Sequence, residues 1–206
     1  NLNKCFVNKK FLIPKLPIQN NIIKISEKII NVLPILDEIN NYTNKWCNKD
    51  IYSNKWSSIT LKSHLGKNQD FLEKHYFGIK EKNTFKYTEN INFFPIIKFL
   101  LDSIKNEIYL VRLLKLDKGG IIKYHSDGMV FKDEKNIIRL HLPILSNKFN
   151  IFKIGYALAP PAPGYSIWKA ETIYSRYLEP GYFYYTNVNT LHSVENNSDT
   201  DRIHLV

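Results

Sequence analysis

The sequence predicts a mainly β protein with helices in its N-terminal part, of the sandwich or jelly-roll kind. Three observations carry this. From about residue 107 the chain breaks into eight short strand-like runs separated by turn residues such as DKGG, SNK, EPG and NNSDTD. Before that point two stripes of apolar residues recur at helical spacings of three and four. No internal repeat and no low-complexity linker divides the 206 residues, a length that suits one good-sized core. The expectation is one domain over 1–206, with a helical or mixed part (1–106) packed on a β core (107–206).

In chain order, the first stripe is Ile22, Ile25, Ile29, Leu33 and Leu36, with Pro34 expected to kink it. WSSITLKS (56–63) alternates as a strand does. The second helical stripe is Phe93, Phe94, Ile97, Leu100, Leu101 and Ile104, with Pro95 near its start, where proline is tolerated. The strand-like runs follow: EIYLVRLLKL, GGIIKYH, NIIRLHLPI, FNIFKI, TIYSRYL, YFYYTNV, LHSVEN and DRIHLV.

Composition narrows the class. No run approaches the ~18 apolar residues of a membrane span. The first 20 residues are broken by lysines, asparagines and two prolines and do not read as a signal peptide. The chain does not start with Met, which leaves room for a native N-terminus upstream. Cys5 and Cys47 alone make no disulfide framework and suit a reducing compartment, so a cytoplasmic location is expected. The net charge of +10 raises the question of nucleic acid. However, the lysines are spread along the chain among Asn and Ile, and no basic cluster or recognised motif appears. Neither a membrane nor a nucleic acid is the expected partner.

The chemistry starts in KYHSDGM, residues 123–129. Side chains at i and i+2 of a strand share a face, so His125 and Asp127 can grip one object, such as a metal ion. One H-x-D is common and proves little alone. His192, 67 residues later in TLHSVEN, supplies a possible third ligand. Two histidines and a carboxylate on one face leave open positions on the metal and suit a non-haem Fe(II) oxygenase. Two further pairs share the pattern. RLHLPI sets Arg139 and His141 on one face, and DRIHLV sets Arg202 and His204 on one face, with apolar residues opposite. Arginine inside a small barrel is costly unless it meets an anion, and a guanidinium matches a carboxylate in bidentate fashion.

The order HSD, then RLHLPI, then EPGYFYYTNVNTLHSVENNSDTDRIHLV resembles the aspartyl/asparaginyl β-hydroxylase family of Fe(II)/2-oxoglutarate dioxygenases, and most of all its bacterial branch of proline hydroxylases. The resemblance covers roughly residues 108–206, with WSSITLKS a fainter match. It implies a double-stranded β-helix, a jelly-roll (cupin-like) fold. It implies that His125, Asp127 and His192 bind iron. It implies that Arg202, ten residues after the distal histidine, pairs with the far carboxylate of 2-oxoglutarate, with Arg139 and His141 as further cosubstrate contacts. Asp127 places the chain with the full-triad members and argues against a radical halogenase.

The implied reaction is an O2-dependent hydroxylation coupled to decarboxylation of 2-oxoglutarate, with the metal doing the hard chemistry and no further catalytic side chain required. The leading expectation is a hydroxylase of a free amino acid or an amino-acid-like metabolite. The second is a hydroxylase of Asp or Asn in a peptide. The third, from another class, is a non-catalytic jelly-roll module that binds a ligand. Arg112 is a candidate contact for a substrate carboxylate; the alternative is a solvated strand residue. The segment Gly155–Arg176, longer than the bacterial branch leads one to expect, reads as a proline-rich loop with Pro160, Pro161 and Pro163. Its aromatics Tyr156, Tyr165, Trp168 and Tyr174 make it a substrate wall or lid, with Trp168 a candidate substrate contact. The alternative is a hairpin lying outside the barrel.

Overall fold

All eight strand-like runs after residue 107 form strands. The computed structural model describes residues 22–27, 29–48, 55–68, 84–127, 138–159 and 168–206. In chain order the elements are β1 (Ile22–Lys24), α1 (Leu33–Asn40), β2 (Cys47–Asn48), β3 (Trp56–His64), β4 (Phe85–Tyr87), a 3-10 turn (Glu89–Phe93) and α2 (Pro95–Ser103). Then follow β5 (Val111–Leu116), β6 (Ile121–His125), β7 (Arg139–Leu145), β8 (Asn150–Ala159), β9 (Lys169–Tyr177), β10 (Tyr184–Thr186), β11 (Leu191–Asn196) and β12 (Arg202–Leu205). No described helix is long and apolar enough to cross a membrane.

The strands make two antiparallel sheets. The large sheet runs β1-β10-β7-β12-β5-β3-β2, with β4 also on β3. The small sheet runs β6-β11-β8-β9. Period-2 alternation sorts the residues of the large sheet onto two faces. On the outer face Leu113, Leu142, Ile203 and Leu205 pack under Ile35, Ile97 and Leu101 of the two helices. On the inner face Leu116 and Tyr184 meet Ile122, Phe152, Ile154 and Val194 of the small sheet. The polar members of the alternating pairs, Arg202 and His204 among them, therefore lie between the sheets, although β12 is buried along its whole length.

The first apolar stripe divides. Ile22 belongs to β1, whose register with β10 pairs Ile22 with Thr186 and Lys24 with Tyr184. Only Leu33–Asn40 is helical, and Pro34 sits in its first turn instead of kinking it. Proline has no N–H, and a first-turn N–H has no partner within the helix anyway, so the position costs nothing. Ile35 and Ile39 face the core, whereas Ile29 and Leu33 are 68% and 65% exposed. Backbone pairing to the edge of β10 outweighs helical periodicity at residue 22, a tertiary effect that spacing cannot show. The second stripe is α2 as expected, with Pro95 in the first turn and Ile97, Leu100 and Leu101 buried. Phe93 falls in the preceding 3-10 turn and is exposed.

The segment Gly155–Arg176 is not a free loop. Its ends are the paired arms of the β8–β9 hairpin, from Ile151↔Tyr177 to Ala159↔Lys169, with register shifts between Ile154 and Gly155 and between Ala157 and Ala159. Tyr156, Ala157, Leu158 and Ala159 are exposed in succession, so both faces of the distal arm are open. Gly155 is where the arm leaves the sheet, and a Cβ there would meet the Tyr124 ring at 2.8 Å and the Glu171 carbonyl oxygen at 2.7 Å. Pro160, Pro161, Pro163 and Tyr165 lie outside the described residues.

Leu113 is fully buried under the helices. Leu113→Ala should lower the unfolding free energy by about 2–5 kcal/mol, as cavity-forming truncations do. Leu33→Ala, on the exposed side of α1, should change it by no more than about 0.5 kcal/mol. Urea denaturation of the two variants measures both. Equal losses would contradict the assigned faces.

Candidate active site

Cross-strand pairing brings two histidines together. His192 of β11 stands opposite His125 of β6, and their ring centroids are 4.3 Å apart. Asp127 follows β6 by two residues and is tied down by its N–H to the Val188 carbonyl at 3.1 Å. Its Oδ1 lies 3.2 Å from His125 Nε2 and 3.9 Å from His192 Nε2. The ligand-type atoms of the three residues all lie within 4.8 Å of one another. The expected triad thus converges.

The backbone sets the histidine tautomers. His125 Nδ1 is 2.7 Å from the Lys123 carbonyl, and His192 Nδ1 is 3.0 Å from the Thr190 carbonyl. A carbonyl only accepts, so each Nδ1 carries a proton, and each Nε2 is directed toward the Asp127 carboxylate. Burial, and next the neighbouring His125, push the His192 imidazole well below its ordinary pKa, so it is neutral. Imidazole nitrogens and a carboxylate facing one point are what a divalent cation requires. The donor set therefore fits a metal.

Arg139, expected as a cosubstrate contact, stands beside Asp127. Its Nη1 donates to Asp127 Oδ2, the oxygen turned away from the histidines. The carboxylate is divided: Oδ1 faces the imidazoles and Oδ2 takes the guanidinium.

A second polar cluster lies deeper between the sheets. Arg202 is 4% exposed, and its Nη2 donates to His204 Nδ1 at 3.0 Å. His141 Nδ1 stands 3.5 Å from the same atom. Burial pulls the Arg202 guanidinium down to about 9. Among the described residues no carboxylate pairs with it. Burial, followed by the Arg202 charge, also keeps His141 and His204 well below the ordinary histidine value. His141 Nε2, His204 Nε2 and Thr186 Oγ1 are buried with no hydrogen-bond partner among the described residues. An unpaired cation flanked by such orphans fits a small anion that brings several acceptor oxygens.

Phe152 joins the two clusters. It stacks on His192 at 5.6 Å, nearly parallel, and meets His141 edge-on at 5.7 Å. The sequence held no sign of this role, because Phe152 is one of several apolar residues in FNIFKI. Thr186 was equally invisible; only its pairing opposite Arg139 places it on the inner face. Arg112 is not a solvated strand residue: it is 7% exposed. It pairs through both backbone groups with Val206, two residues beyond His204, so it shares the inner face with Arg202 and His204. Trp168 is half-buried at the root of β9, where its N–H donates to the Tyr124 carbonyl, the residue before His125.

The Aspartyl/Asparaginyl beta-hydroxylase family matches residues 21–206. The chain belongs to this family. The match extends far beyond the 108–206 expected from the motifs and takes in β1 to α2. No curated protein matches the chain. The matched residues include the convergent triad and the buried arginine.

The neutral buried histidines of this hydroxylase make its stability depend on pH. Above about pH 6.5, His141 and His204 are neutral in both folded and unfolded chains and contribute no pH dependence. Below it the unfolded chain takes up protons that the folded sites refuse, so stability falls as pH drops. These two should contribute a slope of up to roughly 2.7 kcal/mol per pH unit, and His192 adds a contribution of the same sign. Urea midpoints of metal-free protein between pH 5 and 8 measure it, and His141→Phe should flatten the slope. A flat profile in the parent protein would show that these rings titrate freely.

Proposed function

We propose that the hydroxylase is an Fe(II)- and 2-oxoglutarate-dependent dioxygenase whose substrate is a free amino acid or an amino-acid-like metabolite. The observation that carries this reading is the pairing of two sites: a three-residue ligand set of the facial-triad type, and a buried arginine with no carboxylate partner among the described residues, linked by Phe152. In this reading the two facing sheets are the walls of a double-stranded β-helix. His125, Asp127 and His192 would hold the metal. Arg202 would anchor the distal carboxylate of 2-oxoglutarate, with His141 beside it. When bound, Fe(II) and 2-oxoglutarate supply the O2-dependent oxidation of a C–H bond, releasing succinate and CO2.

The protein's own residues have definable tasks in this reading. The carbonyls of Lys123 and Thr190 orient the two imidazoles. Arg139 steadies Asp127 through Oδ2 and leaves Oδ1 for the metal. Phe152 and the apolar inner layer keep water from the reacting centre. Arg112, buried on the same inner face, is a second fixed cation and favours a substrate that carries its own carboxylate. That feature supports the free amino acid. The family's name supports a second reading, an aspartyl or asparaginyl residue within a peptide.

A succinate-release assay with Fe(II), 2-oxoglutarate, and a panel of free amino acids and Asp/Asn peptides separates these readings. Turnover should be stimulated by free amino acids, disappear in His192→Ala, and require far more 2-oxoglutarate in Arg202→Ala. Stimulation by peptides alone would establish the second reading. Complete absence of succinate with every substrate would refute the dioxygenase reading.

Arg139→Ala should weaken Fe(II) or Mn(II) binding about 10–100-fold, the usual effect of removing the partner of a ligating carboxylate. Its effect on 2-oxoglutarate affinity measured at saturating metal should be small. The opposite pattern would make Arg139 a direct cosubstrate contact.

A further inference from the structure

We propose that His204 is a positioning residue for Arg202: as a neutral acceptor it fixes the guanidinium plane while leaving its positive charge uncancelled for the incoming carboxylate. This rests on the reading of Arg202 as the 2-oxoglutarate anchor.

The tautomer is dictated by the partner. Arginine has donors only, so the Arg202 Nη2 contact at 3.0 Å makes His204 Nδ1 the acceptor and places the proton on Nε2. The two residues are i and i+2 on one face of β12, both almost wholly buried, at 4% and 1% exposed. A carboxylate in place of His204 would make a stronger hydrogen bond, but it would also neutralise the guanidinium and compete with any anionic ligand. An apolar residue would leave the guanidinium without that acceptor. A neutral imidazole meets both demands, and burial together with the Arg202 charge keeps it neutral.

The backbone is shaped at this position. His204 stands opposite Pro143 of β7, and the β12–β7 register shifts between Ile203 and His204. Proline inside a central strand is unusual, because it removes a ladder donor. On the β10 side of β7 the Pro143 carbonyl accepts from the Gly181 N–H at 3.1 Å. Such irregularities re-aim side chains next to sites. On its other edge β12 remains in unbroken register with β5 from Arg202↔Leu116 to Leu205↔Leu113. The strand is held on one side and reshaped on the other at the residue that meets Arg202.

Three variants test this by calorimetric titration of 2-oxoglutarate into Mn(II)-loaded protein, with Mn(II) affinity measured in parallel. His204→Asn keeps a neutral acceptor near the Nδ1 position and should bind 2-oxoglutarate within about threefold of the parent. His204→Leu removes the acceptor and should weaken binding about 10-fold or more, as expected for a hydrogen bond to a charged group. His204→Asp keeps the acceptor but cancels the charge, and should also lose about 10-fold or more. Mn(II) affinity should be unchanged in all three. If His204→Leu does not fold, His204→Phe carries the same comparison. Equal 2-oxoglutarate affinity in the Asn and Asp variants, or parent-like binding in the Leu variant, would overturn the role of His204 alone. Failure of the parent protein to bind 2-oxoglutarate would overturn both this proposal and the reading of Arg202 beneath it.

Discussion

The site depends on the antiparallel pairing of β11 with β6. That pairing sets His192 opposite His125 although 67 positions separate them in the chain. Residues directly opposite on neighbouring strands have Cβ atoms about 4.5–5.5 Å apart, which is the separation at which two imidazoles can share one ion. β8 holds β11 from the other side in unbroken register from Leu191 to Asn196. A one-residue slip would send His192 to the opposite face and separate the triad. The apolar contacts of Ile122, Phe152 and Val194 with the large sheet oppose such a slip, so the packing of the core and the convergence of the triad are one constraint.

β12 shows how a few residues serve two needs. Ile203 and Leu205 complete the core beneath the helices, while Arg202 and His204 stand between the sheets. Burial of an arginine without an anion is costly. The helix-covered core on the reverse face of the same strand supplies the burial that holds it there. Stability of the outer face and chemistry of the inner face are thereby coupled through one short strand.

The two polar clusters differ in kind. The triad gathers ligand-type atoms around one point, whereas the Arg202 cluster is built on a buried guanidinium. Phe152 lies between them and keeps the intervening layer apolar. In the proposed reading, a ligand that meets the metal at one end and the guanidinium at the other would span this layer.

Much of this was legible in the sequence. Alternation in RLHLPI and DRIHLV correctly separated the faces, because the side-chain period of a strand is local. The order of HSD, the distal histidine and the arginine pointed to the family, since those residue types are dictated by ligand chemistry. Pro95 marked the start of α2. Other features depended on the tertiary structure. Ile22 looked helical by spacing but is drawn into β1 by the open edge of β10. The segment after Gly155 looked like a loop because of its prolines, yet its arms pair as strands. The contact of Arg139 with Asp127 is not visible in the spacing, because the position of Asp127 depends on how the chain leaves β6. Phe152 and Thr186 became site residues only through register. Local periodicity and residue chemistry determined which side chains face inward and what they can bind; sheet pairing, which joins residues distant in sequence, decided which of them meet.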